Sequence, residues 1–212
     1  MQSVSRHQCL IHDGSPSQQL RAIAKVARKR LAENYRCIYL NSGPMIELMR
    51  ACLGLEGVAV ESEIAKGALV LTAELSHLID GRFSVDAMME TLTGALNQAI
   101  EDGYEGLWAT GDMTWEFGPE QDFSNLLEYE CRLERFMQAH PRMCGICQYH
   151  ANSLSQDAIR QGILSHGRIF VNETLSLMNE NFIPCASLAQ QQSHFQALDR
   201  LVDRLLESHS NF

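Results

Sequence analysis

The chain has 212 residues, of which 45% are hydrophobic and 20% are charged. A chain of this length and composition can bury a core, and its length lies within the range of a single domain. The formal net charge of −9 opposes nonspecific binding to nucleic acid, because lysine and arginine contacts to phosphates supply most of that affinity. We therefore expect no direct nucleic-acid partner.

The N-terminus, the hydropathy pattern and the cysteines lead us to expect a cytoplasmic protein. Residues 1–8 contain no apolar segment of the signal-peptide kind, and no window approaches the roughly 18 consecutive apolar residues of a membrane-spanning helix. The seven cysteines are an odd number, and Cys37 and Cys52 stand among apolar neighbours. This favours reduced, buried thiols over a disulfide framework. We expect no membrane partner.

Short apolar runs alternate with stripes of helical spacing along the chain. The predicted strands are residues 9–12, 37–40, 68–72, 107–110, 143–149 and 168–171. The predicted helices are residues 20–31, 44–53, 85–100, 123–140 and 156–164. This alternation predicts an α/β fold, with a mostly parallel, doubly wound sheet of about six strands and right-handed crossovers.

The pattern changes after residue 184, and we predict a domain at residues 1–184 followed by an amphipathic C-terminal helix at residues 185–212. Five apolar side chains of this segment fall on alternating spacings of three and four, with Gln191 filling one position, which is typical of a coiled-coil seam. They are Leu188, Phe195, Leu198, Val202 and Leu205. Because fewer than four heptads are present, two interpretations stay open: the helix pairs two chains in a homodimer, or it packs on its own domain.

The loop after the first predicted strand argues against nucleotide chemistry. In an open parallel sheet, ligands bind beyond the carboxyl ends of the strands. Here the sequence is His12-Asp13-Gly14-Ser15, which has no Gly-Lys-Ser/Thr and cannot place a lysine on the phosphates of ATP in the Walker manner. We expect no ATPase activity.

Carboxylates occur at informative places in the next two strand–helix units. Glu74 and Asp112 follow strands and could pair for acid/base catalysis, although each could equally cap a helix or satisfy a loop. Glu130 falls in the middle of the apolar stripe of helix 123–140, whereas Glu128 falls on the opposite face. A buried carboxylate must be paired, hydrogen-bonded or protonated. We expect Glu130 to contact a structural partner, such as an arginine, or a ligand.

The cysteine and histidine patterns do not predict a metal or redox centre. Cys144 and Cys147 lie three residues apart on a predicted strand, so their side chains point to opposite faces, and we interpret them as core. His12, His77 and His150 each follow a strand end, and whether they converge on a metal stays open. No thiolate or carboxylate stands at characteristic ligand spacing beside them. We predict no metal and no cofactor.

Five short segments together resemble one known family. They are His7-x-Cys9, Asp80-Gly81-Arg82-Phe83, Gly111-Asp112-Met113-Thr114-Trp115, Leu127-Glu128-Tyr129-Glu130 and Cys147-Gln148-Tyr149. Over about residues 5–184 the chain is similar to the MEDS domain, the methanogen/methylotroph sensory domain, which resembles the sensory part of a dichloromethane-responsive regulator. The resemblance implies a RecA/KaiC-like sheet without a P-loop and a sensor of small hydrocarbon-like compounds.

We therefore expect a sensory ligand-binding module of a signal-transduction or transcription-regulation system, which passes its state to a signalling partner through the C-terminal helix. An enzyme that uses Asp112, Glu74 and Glu130 on a small substrate is the alternative, and a scaffold without a ligand is a third hypothesis. The predicted ligand site lies at the carboxyl edge of the sheet. Its residues are Asp13, Glu74, Asp112, Trp115, Tyr129, Glu130 and Tyr149.

Overall fold

The structure is a computed structural model that describes residues 6–172 and the short strand Leu175–Met178. In this part of the chain, nine strands form a seven-stranded sheet and a two-stranded hairpin. The strands are β1 (His7–His12), β2 (Tyr35–Leu40), β3 (Leu69–Thr72), β4 (Leu78–Ile79), β5 (Arg82–Phe83), β6 (Gly106–Asp112), β7 (Met143–His150), β8 (Arg168–Val171) and β9 (Leu175–Met178).

The large sheet has the strand order β3-β2-β6-β7-β1-β8-β9. Its first six strands are all parallel, and β9 is antiparallel to β8 at the edge. The register places Cys9 of β1 opposite Cys147 of β7, and Leu40 of β2 opposite Gly111 of β6. The predicted α/β class, with a mostly parallel, doubly wound sheet, is confirmed.

Helices cover both faces of the sheet. They are α1 (Leu20–Ala32), α2 (Gly43–Leu55), α3 (Val60–Ala65), α4 (Val85–Glu101), α5 (Met113–Glu116), α6 (Leu126–Ala139) and α7 (Gln156–Ser165). Helices α1 and α2 contribute to the core on one face, whereas α4, α6 and α7 contribute to the core on the other. The helix predicted at residues 123–140 begins as a 3-10 turn, Phe123–Asn125, before α6.

The strands divide their side chains between the two cores, as the period of two requires. Cys9 and Ile11 of β1 belong to the core under α4, α6 and α7, and Leu10 belongs to the other. On β7, Cys147 and Cys144 are divided in the same way. The interpretation of these two cysteines as residues on opposite faces of a strand is confirmed.

The structure adds short elements that periodicity did not predict. Strands β4 and β5 form a hairpin whose turn residues, Asp80 and Gly81, both have positive φ, 52° and 80°, as a type I′ turn requires. Helices α3 and α5 have six and four residues, which is too short for a helical stripe to be visible in the sequence. The predicted C-terminal helix at residues 185–212 lies outside the described residues.

No helix in the described part of the chain is long and apolar enough to cross a membrane.

Candidate functional site

A group of polar side chains lies buried between the sheet and helices α6 and α7. His7 is the first residue of β1 and has the same parity as Cys9, so it points to the face that these helices cover. Cys147 of β7 points to the same face, Glu130 comes from α6, and His166 directly follows α7. None of the four polar residues is more than 5% exposed.

The contacts of these four side chains centre on one carboxylate oxygen. Glu130 Oε2 lies 3.0 Å from His7 Nε2, 3.6 Å from His166 Nε2 and 3.7 Å from Cys147 Sγ. Cys147 Sγ is also 3.5 Å from His7 Nε2. One potential ligand atom from each of the four residues lies within 4.8 Å of all the others. We call this set of His7, Glu130, Cys147 and His166 the buried tetrad.

Three members of the tetrad have a further hydrogen bond that fixes their orientation. His7 Nδ1 is 3.2 Å from Glu134 Oε2, one turn further along α6. His166 Nδ1 is 2.7 Å from the carbonyl oxygen of Gly162. The Tyr149 hydroxyl donates a hydrogen bond to Glu130 Oε1.

The closeness of α7 to the sheet at this point depends on a glycine. A Cβ at Gly162 would lie 2.7 Å from the ring of Tyr149, so any larger residue would push the two apart. The glycine therefore lets α7 pack directly on the tyrosine that hydrogen-bonds Glu130. It also brings its own carbonyl oxygen to His166.

The tetrad contains a buried ion pair. Burial alone lowers the pKa of His7, but hydrogen bonds to Glu130 and Glu134 outweigh it and raise the pKa to about 9. Burial alone raises the pKa of Glu130, but the His166 and His7 imidazoles and the Tyr149 hydrogen bond hold it at about 2. His7 is therefore a cation and Glu130 an anion at neutral pH.

The other two members are neutral. Burial, together with the nearby His7 cation, lowers the pKa of His166 to about 4. Burial and the Glu130 charge raise the pKa of the Cys147 thiol well above its ordinary value. The tetrad thus combines two imidazoles, one carboxylate and one thiol in a region shielded from bulk solvent.

A second buried carboxyl lies beside the tetrad but has different electrostatics. Glu116 ends α5 and is 2% exposed. Its Oε2 has no hydrogen-bond partner among the described residues. Burial, followed by the charges of Glu130 and Asp112, raises its pKa well above the ordinary value, so this group is a neutral carboxylic acid. Gly111 makes room for it, since a Cβ there would lie 1.5 Å from Glu116 Oε1.

Glu116 lines a small cavity between β6, β7, α4 and α6. The cavity offers about 20 Å³ to the centre of a water molecule, which is room for about one water. Four of the residues that line the cavity are methionines, and Cys147 of the tetrad also lines it. The methionines are Met88, Met113, Met137 and Met143. The lining is therefore mainly apolar and adaptable, and its ionisable groups are the Glu116 carboxyl, the Cys147 thiol and the Tyr129 phenol.

A wider groove of about 310 Å³ lies on the other face of the sheet. Side chains of α1, β1 and β8 line it, among them Ala22, Leu10 and Phe170. No ionisable group other than Lys25 lines this groove in the described part of the chain.

The seven residues predicted to bind a ligand occupy different environments. Glu130 and Tyr149 are in direct contact, and Tyr129 lines the cavity. Asp112 is buried and caps α5, where it accepts a hydrogen bond of 2.8 Å from the Thr114 backbone N–H.

The remaining three predicted residues are more accessible. Trp115 is half-buried, with its ring centroid 6.3 Å from that of His77. Asp13 is half-buried in the loop after β1, where its carbonyl oxygen accepts a hydrogen bond from Asn152. Glu74 is exposed after β3. A ligand role for each of the seven stays a prediction.

The partners of Glu130 differ from the arginine given as an example. They are His7, Cys147, His166 and Tyr149, of which only Tyr149 was among the predicted site residues. The signal for His7 was its place two residues before Cys9, on the same face of a strand. Only the family resemblance drew on the His7-x-Cys9 segment, because the predicted strand began at residue 9 and so assigned His7 to no face of the sheet.

The three histidines considered for a metal do not form such a site in the described part of the chain. The ring centroids of His12 and His150 are 5.0 Å apart, but burial and the nearby His150 lower the pKa of His12 to about 4. The His77 ring contacts the backbone oxygen of Glu116 at 2.9 Å and packs on Phe83.

Comparison with known proteins agrees with this architecture. A family model described as "MEDS: MEthanogen/methylotroph, DcmR Sensory domain" matches residues 6–167. The crystal structure of the flagellar accessory protein FlaH from Methanocaldococcus jannaschii is similar in fold, with a TM-score of 0.53 and 12% identity over 79% of this chain and 71% of that chain. The RecA-like fold is thereby confirmed. No curated protein matches the chain.

Proposed function

The chain belongs to the MEDS family of sensory domains, and from this premise we propose that it senses a small hydrocarbon-like molecule as the input module of a signal-transduction or transcription-regulation system. The observation that carries the proposal is the methionine-lined cavity with the neutral carboxyl of Glu116 at its wall. Such a lining favours ligands that are apolar or weakly polar.

The size and composition of the cavity limit the ligand. The cavity has room for about one water, so even a ligand of a few heavy atoms enters only if the walls move. Methionine side chains have three rotatable bonds and repack easily, so Met88, Met137 and Met143 can widen the cavity at modest cost. A charged ligand is disfavoured, because its charge would lose water without gaining an opposite charge at Glu116.

The seven predicted site residues enter this proposal in different ways. Tyr129 forms part of the cavity wall. Glu130 contacts the wall residue Cys147, and Tyr149 in turn contacts Glu130. Asp112 and Trp115 belong to the turn of chain that carries Glu116. Asp13 and Glu74 remain predicted ligand contacts, which binding measurements on their alanine variants would test.

Binding can be followed at the methionines themselves. Isotope-labelled methionine methyl groups are observed by NMR while dichloromethane, as a small weakly polar probe, is added. The signals of Met88, Met137 and Met143 should shift with concentration. Met49, which is buried in the core on the other face of the sheet, should not respond.

Two variants distinguish the cavity from the wide groove. Ala109→Val fills the cavity from β6 and should abolish the shifts, whereas Ala22→Leu fills the groove beside α1 and should leave them unchanged. Shifts that survive Ala109→Val but vanish in Ala22→Leu would move the site to the groove. If no methionine responds in the unmodified protein, the cavity is not a sensory site.

A sensor must pass its state to another protein, and we infer that residues 185–212 do so, either as a homodimer seam or as a contact with a signalling partner. The support is the spacing of Leu188, Phe195 and Leu198, which continues to Leu205. The oligomeric state with and without this segment tests the inference.

A further inference from the structure

We propose that the buried tetrad, His7, Glu130, Cys147 and His166, is a binding site for one divalent transition-metal ion of the Zn²⁺ type. The site joins β1, β7, α6 and the end of α7. The inference does not depend on the proposed sensory function, because it rests on the ligand atoms alone.

The spacing of the donor atoms supports a tetrahedral ion. Zn–N distances of about 2.0 Å and Zn–S distances of about 2.3 Å place the ligand atoms of a tetrahedral site roughly 3.3–3.5 Å apart. In the tetrad, Glu130 Oε2 lies 3.0 Å from His7 Nε2, 3.6 Å from His166 Nε2 and 3.7 Å from Cys147 Sγ. His7 Nε2 lies 3.5 Å from Cys147 Sγ. Since all four atoms lie within 4.8 Å of one another, closing the site needs movements of about 1 Å or less.

The hydrogen bonds that the tetrad makes to residues outside it are of the kind found around bound metal ions. An imidazole that binds metal through one nitrogen usually donates its other N–H to a carboxylate or a backbone carbonyl. His7 does so to Glu134, and His166 does so to Gly162, each leaving its Nε2 directed at Glu130 Oε2. Glu130 in turn accepts the Tyr149 hydroxyl on Oε1, which leaves Oε2 for the ion.

The donor set selects the kind of ion. Two imidazoles, one thiolate and one carboxylate suit Zn²⁺ or Co²⁺, whereas Mg²⁺ and Ca²⁺ prefer oxygen ligands only. Four protein ligands also close the coordination sphere, which is the arrangement of structural rather than catalytic zinc.

The ligand set can neutralise the ion. The Cys147 thiolate and the Glu130 carboxylate together carry two negative charges, which match the two positive charges of the ion, and the two imidazoles bind as neutral ligands. Binding therefore releases the proton of the Cys147 thiol and any proton on His7 Nε2, and no uncompensated charge is buried.

Cobalt provides a direct test with the full chain. After chelator treatment, Co²⁺ should bind one ion per chain, with the visible absorption of a tetrahedral ion and an ultraviolet thiolate-to-metal band, and Zn²⁺ should then remove both. Cys147→Ser should eliminate the thiolate band and weaken binding at least about 100-fold. Cys144→Ser, on the same strand but the opposite face, is the matched control and should bind as the unmodified chain does.

A second variant keeps the proposal testable if Cys147→Ser does not fold. Glu134→Gln leaves all four donors in place but weakens the hydrogen bond to His7, so the thiolate band should persist while affinity falls about 10- to 100-fold. Circular dichroism checks that each variant folds. The proposal is overturned if micromolar Co²⁺ does not bind, if the bound ion shows no thiolate band, or if Cys144→Ser rather than Cys147→Ser removes it.

Discussion

Replacing Glu130 with glutamine tests whether its charge stabilises the fold. Glutamine keeps the shape of the side chain, and its amide oxygen can still accept the Tyr149 hydrogen bond. The charge that faces His7 across 3.0 Å is lost, in a place where neither side chain is exposed. Glu134 still contacts the His7 ring, at 3.2 Å from its Nδ1.

Two arguments give the same magnitude for this change. Removing one partner of a buried ion pair costs about 3–5 kcal/mol, because the other charge is left uncompensated. His7 can limit that cost by releasing its proton, and the rise of its pKa from 6.5 to about 9, to which Glu130 and Glu134 both contribute, corresponds to about 3 kcal/mol at most. We expect Glu130→Gln to lower the free energy of unfolding by about 3 kcal/mol, and therefore Tm by roughly 6–12 °C.

Two other glutamates on the same face or helix serve as controls. Glu128 also lies on α6, but its side chain is 60% exposed and pairs with Arg132 at 3.5 Å, so Glu128→Gln should cost less than about 0.5 kcal/mol. Glu116 is as buried as Glu130 but already neutral, so Glu116→Gln should change stability by less than about 1 kcal/mol. The two controls thus separate the effect of removing a buried charge from the effect of changing a buried side chain.

Urea unfolding of chelator-treated protein, followed by circular dichroism, measures these differences. The measurement belongs between pH 4.5 and 6.5, where both His7 and Glu130 are charged in the folded state. If Glu130→Gln unfolds at the same urea concentration as Glu128→Gln, the ion pair contributes nothing and the charges assigned to the tetrad are wrong.

Three further predictions concern the pH dependence of the ion pair, two glycines and the C-terminal segment. Because the pKa of His7 is raised, the stabilisation by the His7–Glu130 pair is complete below pH 6.5 and is lost as pH rises through about 9. Because the pKa of Glu130 is lowered, the same stabilisation is complete above pH 4.5 and is lost as pH falls through about 2. The urea midpoints of the metal-free protein and of Glu130→Gln should therefore converge at both extremes of pH. Gly111→Ala should destabilise by about 1–3 kcal/mol in thermal melting, because its Cβ meets Glu116, whereas Gly94→Ala on α4 meets no atom within 4 Å and should stabilise by about 0.5–1 kcal/mol. Deleting residues 186–212 should convert a dimer to a monomer by light scattering, and a full chain that is already monomeric would refute the seam.

Periodicity predicted the framework of the fold because each strand and long helix has its own local signal. The start of α4 is an example: the Ser84 hydroxyl accepts the Ala87 backbone N–H, directly before the helix predicted at residues 85–100. The burial of Glu130 followed in the same way from the stripe of α6. Such features depend on residues within about two turns of one another.

The partners of Glu130 could not be predicted in this way, because they come from distant parts of the chain. His7 precedes Glu130 by more than a hundred residues, and their contact requires the parallel pairing of β1 with β7 and the packing of α6 on both. His166 reaches the same oxygen only because Gly162 lets α7 lie against Tyr149. A sequence pattern shows which face of its own strand or helix a residue occupies and whether that face is buried. It does not show which faces of distant elements pack against each other.

The tetrad is difficult to explain by stability alone. Apolar residues of similar volume often replace a buried ion pair at no cost or with a gain, so a domain with two well-formed cores gains little from keeping His7, Glu130 and His166 together. A metal ion changes this balance, because its binding free energy becomes part of the folding free energy when the unfolded chain has no preformed site. Cys147 belongs both to the tetrad and to the cavity wall, so an ion held there would also fix one wall of the cavity proposed for the ligand. Ligand binding to Cys147→Ser, compared with Cys144→Ser, would therefore show whether the two sites act together.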